Sequence, residues 1–136
     1  MKAENGLERF SLLTKYLPKR LNTLMDACDR DVLCAVEEIR LRIGQPIALL
    51  LKNELHFFGD GGLTDERGQA FCVEEGDMQE AWRLVTASSV YALEEELRRG
   101  YITLPGGHRV GVAGKAVLSA GRVKTQKEIT SLNYRV

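Results

Sequence analysis

"YITLPGGHRVGVAG", Tyr101 to Gly114, sets four glycines, a histidine and an arginine between two apolar runs. Read as a phosphate-cradling loop, it makes the chain a nucleotide-binding α/β protein. Read as a turn between strands, it makes the chain α+β with antiparallel hairpins. Spacing decides between them. A Walker-type loop is G-x-x-x-x-G-K-[S/T] opening a helix, whose backbone N–H groups and dipole hold phosphate. Here Gly114-Lys115 runs into Ala116, with no Ser or Thr after the lysine. A dinucleotide fingerprint fails as well, because the run from Gly106 to Gly111 has the wrong glycine spacing and opens no helix. The residues after Gly107 alternate instead: Val110, Val112, Gly114, Ala116 and Leu118 fall on one face, Arg109, Gly111, Ala113, Lys115 and Val117 on the other. Pro105-Gly106-Gly107 is therefore the turn between strands at 101–104 and 108–118, and it exposes His108 and Arg109 as a pair. Gly111 and Gly114 inside the second strand predict a bulge or the close passage of another backbone.

Downstream, Ala120-Gly121 turns the chain again, and Leu132, Tyr134 and Val136 alternate with Asn133 and Arg135. Upstream, a helix starts after Ser88-Ser89 and ends at Gly100, a residue suited to a left-handed helix terminus. Its inward residues are Val90, Leu93 and Leu97, and Glu94–Arg98 and Glu95–Arg99 are i,i+4 pairs in the favourable order. The helix before it is capped by Asp77 with Glu80 closing the box, and buries Met78, Ala81, Trp82 and Val85.

Residues 59–76 are rich in glycine and acids and read as a loop, with a short edge strand at 70–73. Before them, Ile39, Leu41 and Ile43 alternate with Glu38, Arg40 and Arg42, a half-exposed strand. Gly44-Gln45-Pro46 turns, and two further strands flank Lys52-Asn53, where Asn53 takes the left-handed conformation of a tight hairpin. Arg40 and Arg42 share an exposed face, available to an anion or simply solvated. The first thirty residues are helical in spacing: Leu7, Phe10, Leu13 and Leu17, then Leu21, Leu24, Met25 and Cys28, broken near Pro18. The expected organisation is one α+β domain over 1–136: helical start 7–36, β-meander 37–58, loop 59–76, two central helices 77–99 and C-terminal antiparallel hairpins 101–136. The helices lie on one side of a largely antiparallel sheet, in two β-rich portions split by the helices 77–99.

The 136 residues suffice for one domain with a core of its own. No apolar run approaches the roughly 20 residues that span a bilayer, and the N-terminus lacks the basic-then-apolar character of a signal peptide; a chain kept in the cytosol is expected. Cys28, Cys34 and Cys72 show no CxxC spacing, and the two histidines, His56 and His108, are far apart in sequence, so no metal site is expected. Net charge is zero but divided: residues 1–97 carry 11 basic and 18 acidic side chains, a balance of −7, and residues 98–136 carry 8 and 1, a balance of +7. Such a split suits an anionic partner or acidic-to-basic contact between copies, unless the two parts interleave within the sheet. A nucleic-acid contact through Arg109, Lys115, Arg122, Lys124 and Lys127 is the weaker reading, since no aromatic residues are interleaved for stacking. No catalytic constellation emerges, and His56 reads as a strand residue.

The segment from Ser88 to Val136, with "EEELRRGYITLPGGHRVGVAG" at its centre, resembles the N-terminal part of the stage III sporulation protein AA family, and "VEEIRLRIGQPIALLLKNELHFF" resembles the same family's earlier meander. The resemblance covers essentially the whole chain. It implies a bacterial sporulation ATPase similar to the ring-forming ATPases of type II and type IV secretion systems, in which an N-terminal α/β domain precedes a RecA-like motor. Glu38-Ile39-Arg40 and the run from Leu104 to Val110 match that domain's motifs. The family's Walker A and Walker B motifs lie beyond the segment matched by Tyr134-Arg135-Val136, so the resemblance implies a part of a longer protein that is no enzyme itself and holds no cofactor, with ATP and Mg²⁺ belonging to the motor. It further implies partners: the protein's own ATPase domain, neighbouring subunits of a homo-oligomeric ring such as a hexamer, and other stage III A-operon proteins. The expected location is cytoplasmic, on the mother-cell side, peripheral at the forespore-engulfing membrane through partners, without membrane insertion. The candidate interface or nucleotide-contact residues are Arg98, Arg99, His108, Arg109 and Arg135; Pro105, Gly106 and Gly107 are structural.

Overall fold

Helical periodicity gives way to strand periodicity at Val36, where a helix passes directly into a strand. The computed structural model describes residues 2–87, 93–114, 117–119, 122–125 and 129–136, with side chains for 8–87, 95–114 and 129–136. Three helices open the chain: α1 (Lys2–Thr14), α2 (Lys19–Met25) and α3 (Arg30–Ala35). Pro18 sits just before α2 and its carbonyl accepts from the N–H groups of Leu21 and Asn22 at 3.0 and 3.2 Å, so the proline starts a helix where it lacks nothing.

Strands β1 (Val36–Arg42), β2 (Ala48–Leu51) and β3 (Glu54–Gly59) form the expected meander. The β2–β3 turn has φ 49° at Lys52 and 65° at Asn53, so both residues take the left-handed conformation that matches the twist of a two-residue hairpin. The expected loop 59–76 is more ordered than its composition suggests. It holds β4 (Gly62–Thr64), paired with β3, and a short 3-10 turn (Arg67–Gln69). The edge strand expected at 70–73 is a zipper of single bridges rather than a ladder: Phe71 N–H donates to the Phe58 carbonyl, and its own carbonyl accepts from Ile47.

Helices α4 (Glu75–Thr86) and α5 (Leu93–Arg99) come next. Here the capping expectation is corrected. The cap residue is Glu74, and Asp77, in the first turn, reaches back to accept the Glu74 N–H at 2.9 Å. Asp77 can hold this buried position because Arg20 binds the same carboxylate, whereas Glu80 only meets the Lys19 N–H at 3.3 Å. The expected stripe of Met78, Ala81, Trp82 and Val85 is buried. The expected helix start at Ser88-Ser89 and the inward Val90 lie outside the described residues, as does the Glu94 side chain; Arg99 does pair with Glu95, at 4.0 Å.

The C-terminal strands are β5 (Tyr101–Thr103), β6 (Arg109–Gly114), β7 (Val117–Ser119), β8 (Arg122–Thr125) and β9 (Ile129–Arg135). The strand expected over 108–118 is thus two strands. A register shift between Ala113 and Gly114, with φ +111° at Gly114, makes the anticipated bulge and ends the pairing of β6 with β9. β7 and β8 pair separately.

The two β-rich portions meet in one antiparallel seven-stranded sheet of order β4-β3-β2-β1-β9-β6-β5. The joint is β1 against β9, where Ile39 faces Tyr134 and Leu41 faces Leu132. These four side chains are fully buried and meet Leu13, Leu17 and Leu21 from the helical start and Met78 and Val85 of α4 in one core. Helices thus take one face of the sheet, and the alternate residues of β1, β9 and the start of β6 fall on the other.

Candidate functional site

Period-two alternation sends Ile39, Leu41, Leu132, Tyr134 and Val110 into the core, so their neighbours Glu38, Arg40, Asn133, Arg135, Arg109 and Gly111 populate the opposite face. Register then decides which of them meet. Arg135 stands opposite Glu38 on one side and Arg109 on the other. Asn133 stands opposite Arg40 and Gly111, and Gly111 in turn opposite Tyr101. Glycine leaves this last row without a side chain at its middle. The gap is the floor of a hollow of about 240 Å³ walled by Glu38, Tyr101, Arg109, Asn133 and Arg135.

Each wall has a definite state. The Arg109 guanidinium carbon lies 4.9 Å from the centre of the Tyr101 ring, a cation–π stack that holds the charge over the pocket. Glu38 is occupied by Arg40 Nη2 at 3.3 Å. The Asn133 side-chain oxygen is buried and has no hydrogen-bond partner among the described residues. The hollow therefore offers two guanidinium groups, a phenol and an amide to a negatively charged or hydrogen-bonding visitor.

Of the residues expected from sequence, Arg109 and Arg135 are brought together here. Arg98 and Arg99 are not: they are exposed at the end of α5, within 3.8 and 4.0 Å of Glu95. His108 overturns the expectation of an exposed His-Arg pair. It is buried, 4% exposed, with its Nε2 unpartnered among the described residues. The reason is register. His108 lies two residues before Val110 and so shares its core-facing side, beside the turn glycine Gly106, which Leu12 of α1 also approaches. The turn itself is as expected: Pro105-Gly106-Gly107 is closed by the Leu104 N–H donating to the His108 carbonyl at 2.8 Å, with φ +95° and +88° at the two glycines. Sequence reasoning missed Tyr101, Glu38 and Asn133 as site residues, although each alternates with a core residue and so had to share a face with Arg109 and Arg135.

Elsewhere, His56 is a strand residue, as expected, with Nδ1 2.8 Å from Asp65 Oδ1. None of the three cysteines is in a disulfide, and burial followed by the charge of Asp29 pushes the Cys28 thiol up. Among the described residues no cluster of three or more His, Cys, Asp or Glu is placed to hold a metal, and no helix is long and apolar enough to cross a membrane. The nucleic-acid candidates Lys115, Arg122, Lys124 and Lys127 have side chains outside the described residues. The divided charge does interleave at the β1–β9–β6 junction, where Arg135 faces Glu38.

A family model described as "Sporulation stage III, protein AA" matches residues 8–136. Stage III sporulation protein AA of Bacillus subtilis (strain 168) is 29% identical over 124 residues, which cover 91% of this chain and 37% of that relative. The chain thus spans well under half the length of the curated relative it matches. No solved structure matches.

Proposed function

The chain belongs to the sporulation stage III protein AA family, and we propose that within that family it is an assembly and coupling domain of a secretion-type ATPase, docking on a motor and on a neighbouring subunit of the mother cell–forespore channel complex. The observation that carries this reading is the hollow that Arg109, Arg135, Tyr101 and Asn133 form on the sheet face turned away from the core. Arginine and tyrosine are the side chains enriched in protein contact patches, because they bring large contact area and directional hydrogen bonds together. In a ring, one subunit's patch meets a different surface of the next, which suits a chain whose charge is divided along its length. ATP and Mg²⁺ sit on the motor in this reading, and nucleotide titration of this chain alone should give no binding. The test is charge reversal at Arg98, Arg99 and Arg109 in the full-length protein: oligomerisation at low salt should weaken, and unchanged assembly overturns the proposal.

One observation favours a second reading. Arg109 and Arg135 are direct cross-strand partners, so two guanidinium groups can approach one phosphate chain held by a neighbouring motor. An arginine supplied from outside the phosphate loop stabilises transferring phosphate by orders of magnitude. Full ATPase activity in Arg109→Ala and Arg135→Ala full-length proteins, with assembly intact, would leave only the coupling role.

A further inference from the structure

The other half of the same open face holds a second cluster, which shares no wall with the Arg109–Arg135 hollow. Arg40 and Arg42 project from alternate positions of β1, and Arg67 arrives from the 3-10 turn after β4. The Arg67 guanidinium lies 5.2 Å from the centre of the Phe57 ring and donates to Gln45 Oε1 at 3.1 Å, so it is fixed from two sides. The three arginines surround a hollow of about 100 Å³ whose remaining walls include Pro46, Leu55 and Phe57, and among the described residues no carboxylate lines it.

Their hydrogen-bonding capacity is largely unspent. Arg40 uses one Nη on Glu38, while its Nε is buried with no acceptor among the described residues. Arg42 has no ion pair among the described residues. Three guanidinium groups around one small space repel each other, and a negative group between them turns that repulsion into attraction, strengthened by the low polarity of the Phe57 and Leu55 wall. Arginine in place of lysine adds planar forks that match the geometry of phosphate and carboxylate oxygens. The hollow is well below the roughly 300–1,000 Å³ of sites that enclose whole small molecules, so what it takes is one charged group.

We propose that Arg40, Arg42 and Arg67 form an oxyanion-binding site that receives a single phosphate or carboxylate group, with the apolar wall of Pro46, Leu55 and Phe57 taking the atoms attached to it. The inference does not rest on the coupling role, since its test uses this chain alone. The experiment is NMR titration with inorganic phosphate, with acetate, and with sodium chloride at matched ionic strength, reading arginine Nε–H and Phe57 ring resonances. Saturable shifts at Arg40, Arg42, Arg67 and Phe57 are expected with an oxyanion and not with chloride. A stronger response to phosphate assigns a phosphate ligand; one to acetate assigns a carboxylate. Arg42→Gln and Arg67→Gln should each weaken binding about tenfold, the loss expected for one charge-assisted hydrogen bond, whereas Arg83→Gln, on the exposed side of α4, should not. Shifts that grow linearly in all three salts, or that persist unchanged in both variants, overturn the proposal.

Discussion

The phenol of Tyr134, in β9, donates a 2.8 Å hydrogen bond to the carbonyl of Tyr16, in the turn between α1 and α2. The bond joins residues 118 positions apart and ties β9, the neighbour of the central strand β1, to the helical layer above it. Tyr134 is fully buried. Tyr134→Phe keeps the ring and its packing but leaves that carbonyl without its donor, so it should cost about 1–2 kcal/mol. In urea unfolding this appears as a lower midpoint at unchanged slope. An unchanged midpoint would mean that the carbonyl finds another donor at no cost.

Burial also raises the Tyr134 phenol well above its ordinary value of 10.0. The sign depends on which state holds the proton more tightly. The folded chain keeps the phenol protonated at a pH where the unfolded chain has released it, so this contribution is complete below about pH 10 and is lost as pH rises beyond it. Stability of the wild-type chain should therefore fall more steeply above pH 10 than that of Tyr134→Phe. Every other ionisable group is common to both proteins, so the difference between the two curves isolates the tyrosine. Parallel curves would contradict the linkage.

Local signals made much of this fold legible. Alternation in 36–42 and 129–135, the helical stripe around Trp82 and the Pro-Gly-Gly turn each reflect interactions within a few residues, which periodicity records. The pairing of β1 with β9 joins residues nearly a hundred positions apart and leaves no local trace. The site depends on that pairing: Arg109 and Arg135 could be suspected singly, but their apposition beside Glu38 and Asn133 comes from register alone. His108 is a different case. Its position two before Val110 already placed it on the core side, and the turn's glycines drew attention to exposure instead. Arg67 was hidden for a third reason, since a glycine-rich acidic stretch carries no pattern to show which sheet face it will cross.

Asp77 carries two tasks at the start of α4. Its Oδ2 accepts from Arg20 Nη1 and from the Glu74 backbone N–H, and the residue is 7% exposed. Asp77→Ala removes an N-terminal helix contact and a charge-assisted bond together, with an expected cost of about 2–3 kcal/mol. Arg20→Ala should cost less, because Arg20 is partly solvated and shares its charge with the Cys72 carbonyl and the Phe71 ring. The double variant should cost about 0.5–3 kcal/mol less than the sum, the coupling of residues in direct contact. Additive losses in a denaturation cycle would show that the two act independently.

Two glycines of one hairpin should respond in opposite directions to the same substitution. Gly107 has φ +88° and no atom of the described residues within 4 Å of the position a Cβ would take, so among them Gly107→Ala meets no clash and suffers only the backbone conformation. That strain should cost about 1–2 kcal/mol. Gly111 lies within β6 and has no such conformation, and an added Cβ would come no nearer than 3.8 Å to Asn133 Cβ, ordinary contact. Gly111→Ala should therefore stabilise the chain by roughly 0.5–1 kcal/mol, by restricting the unfolded state and favouring extended backbone. Neither strain nor crowding accounts for glycine at 111. What the glycine does provide is the floor of the hollow between Arg109 and Arg135, so a bulkier Gly111→Leu in the full-length protein should impair assembly while leaving the domain folded. Thermal unfolding of the two alanine variants is the first check: a loss at 111 as large as that at 107 would assign Gly111 to the backbone, and the hollow would lose its glycine-based rationale.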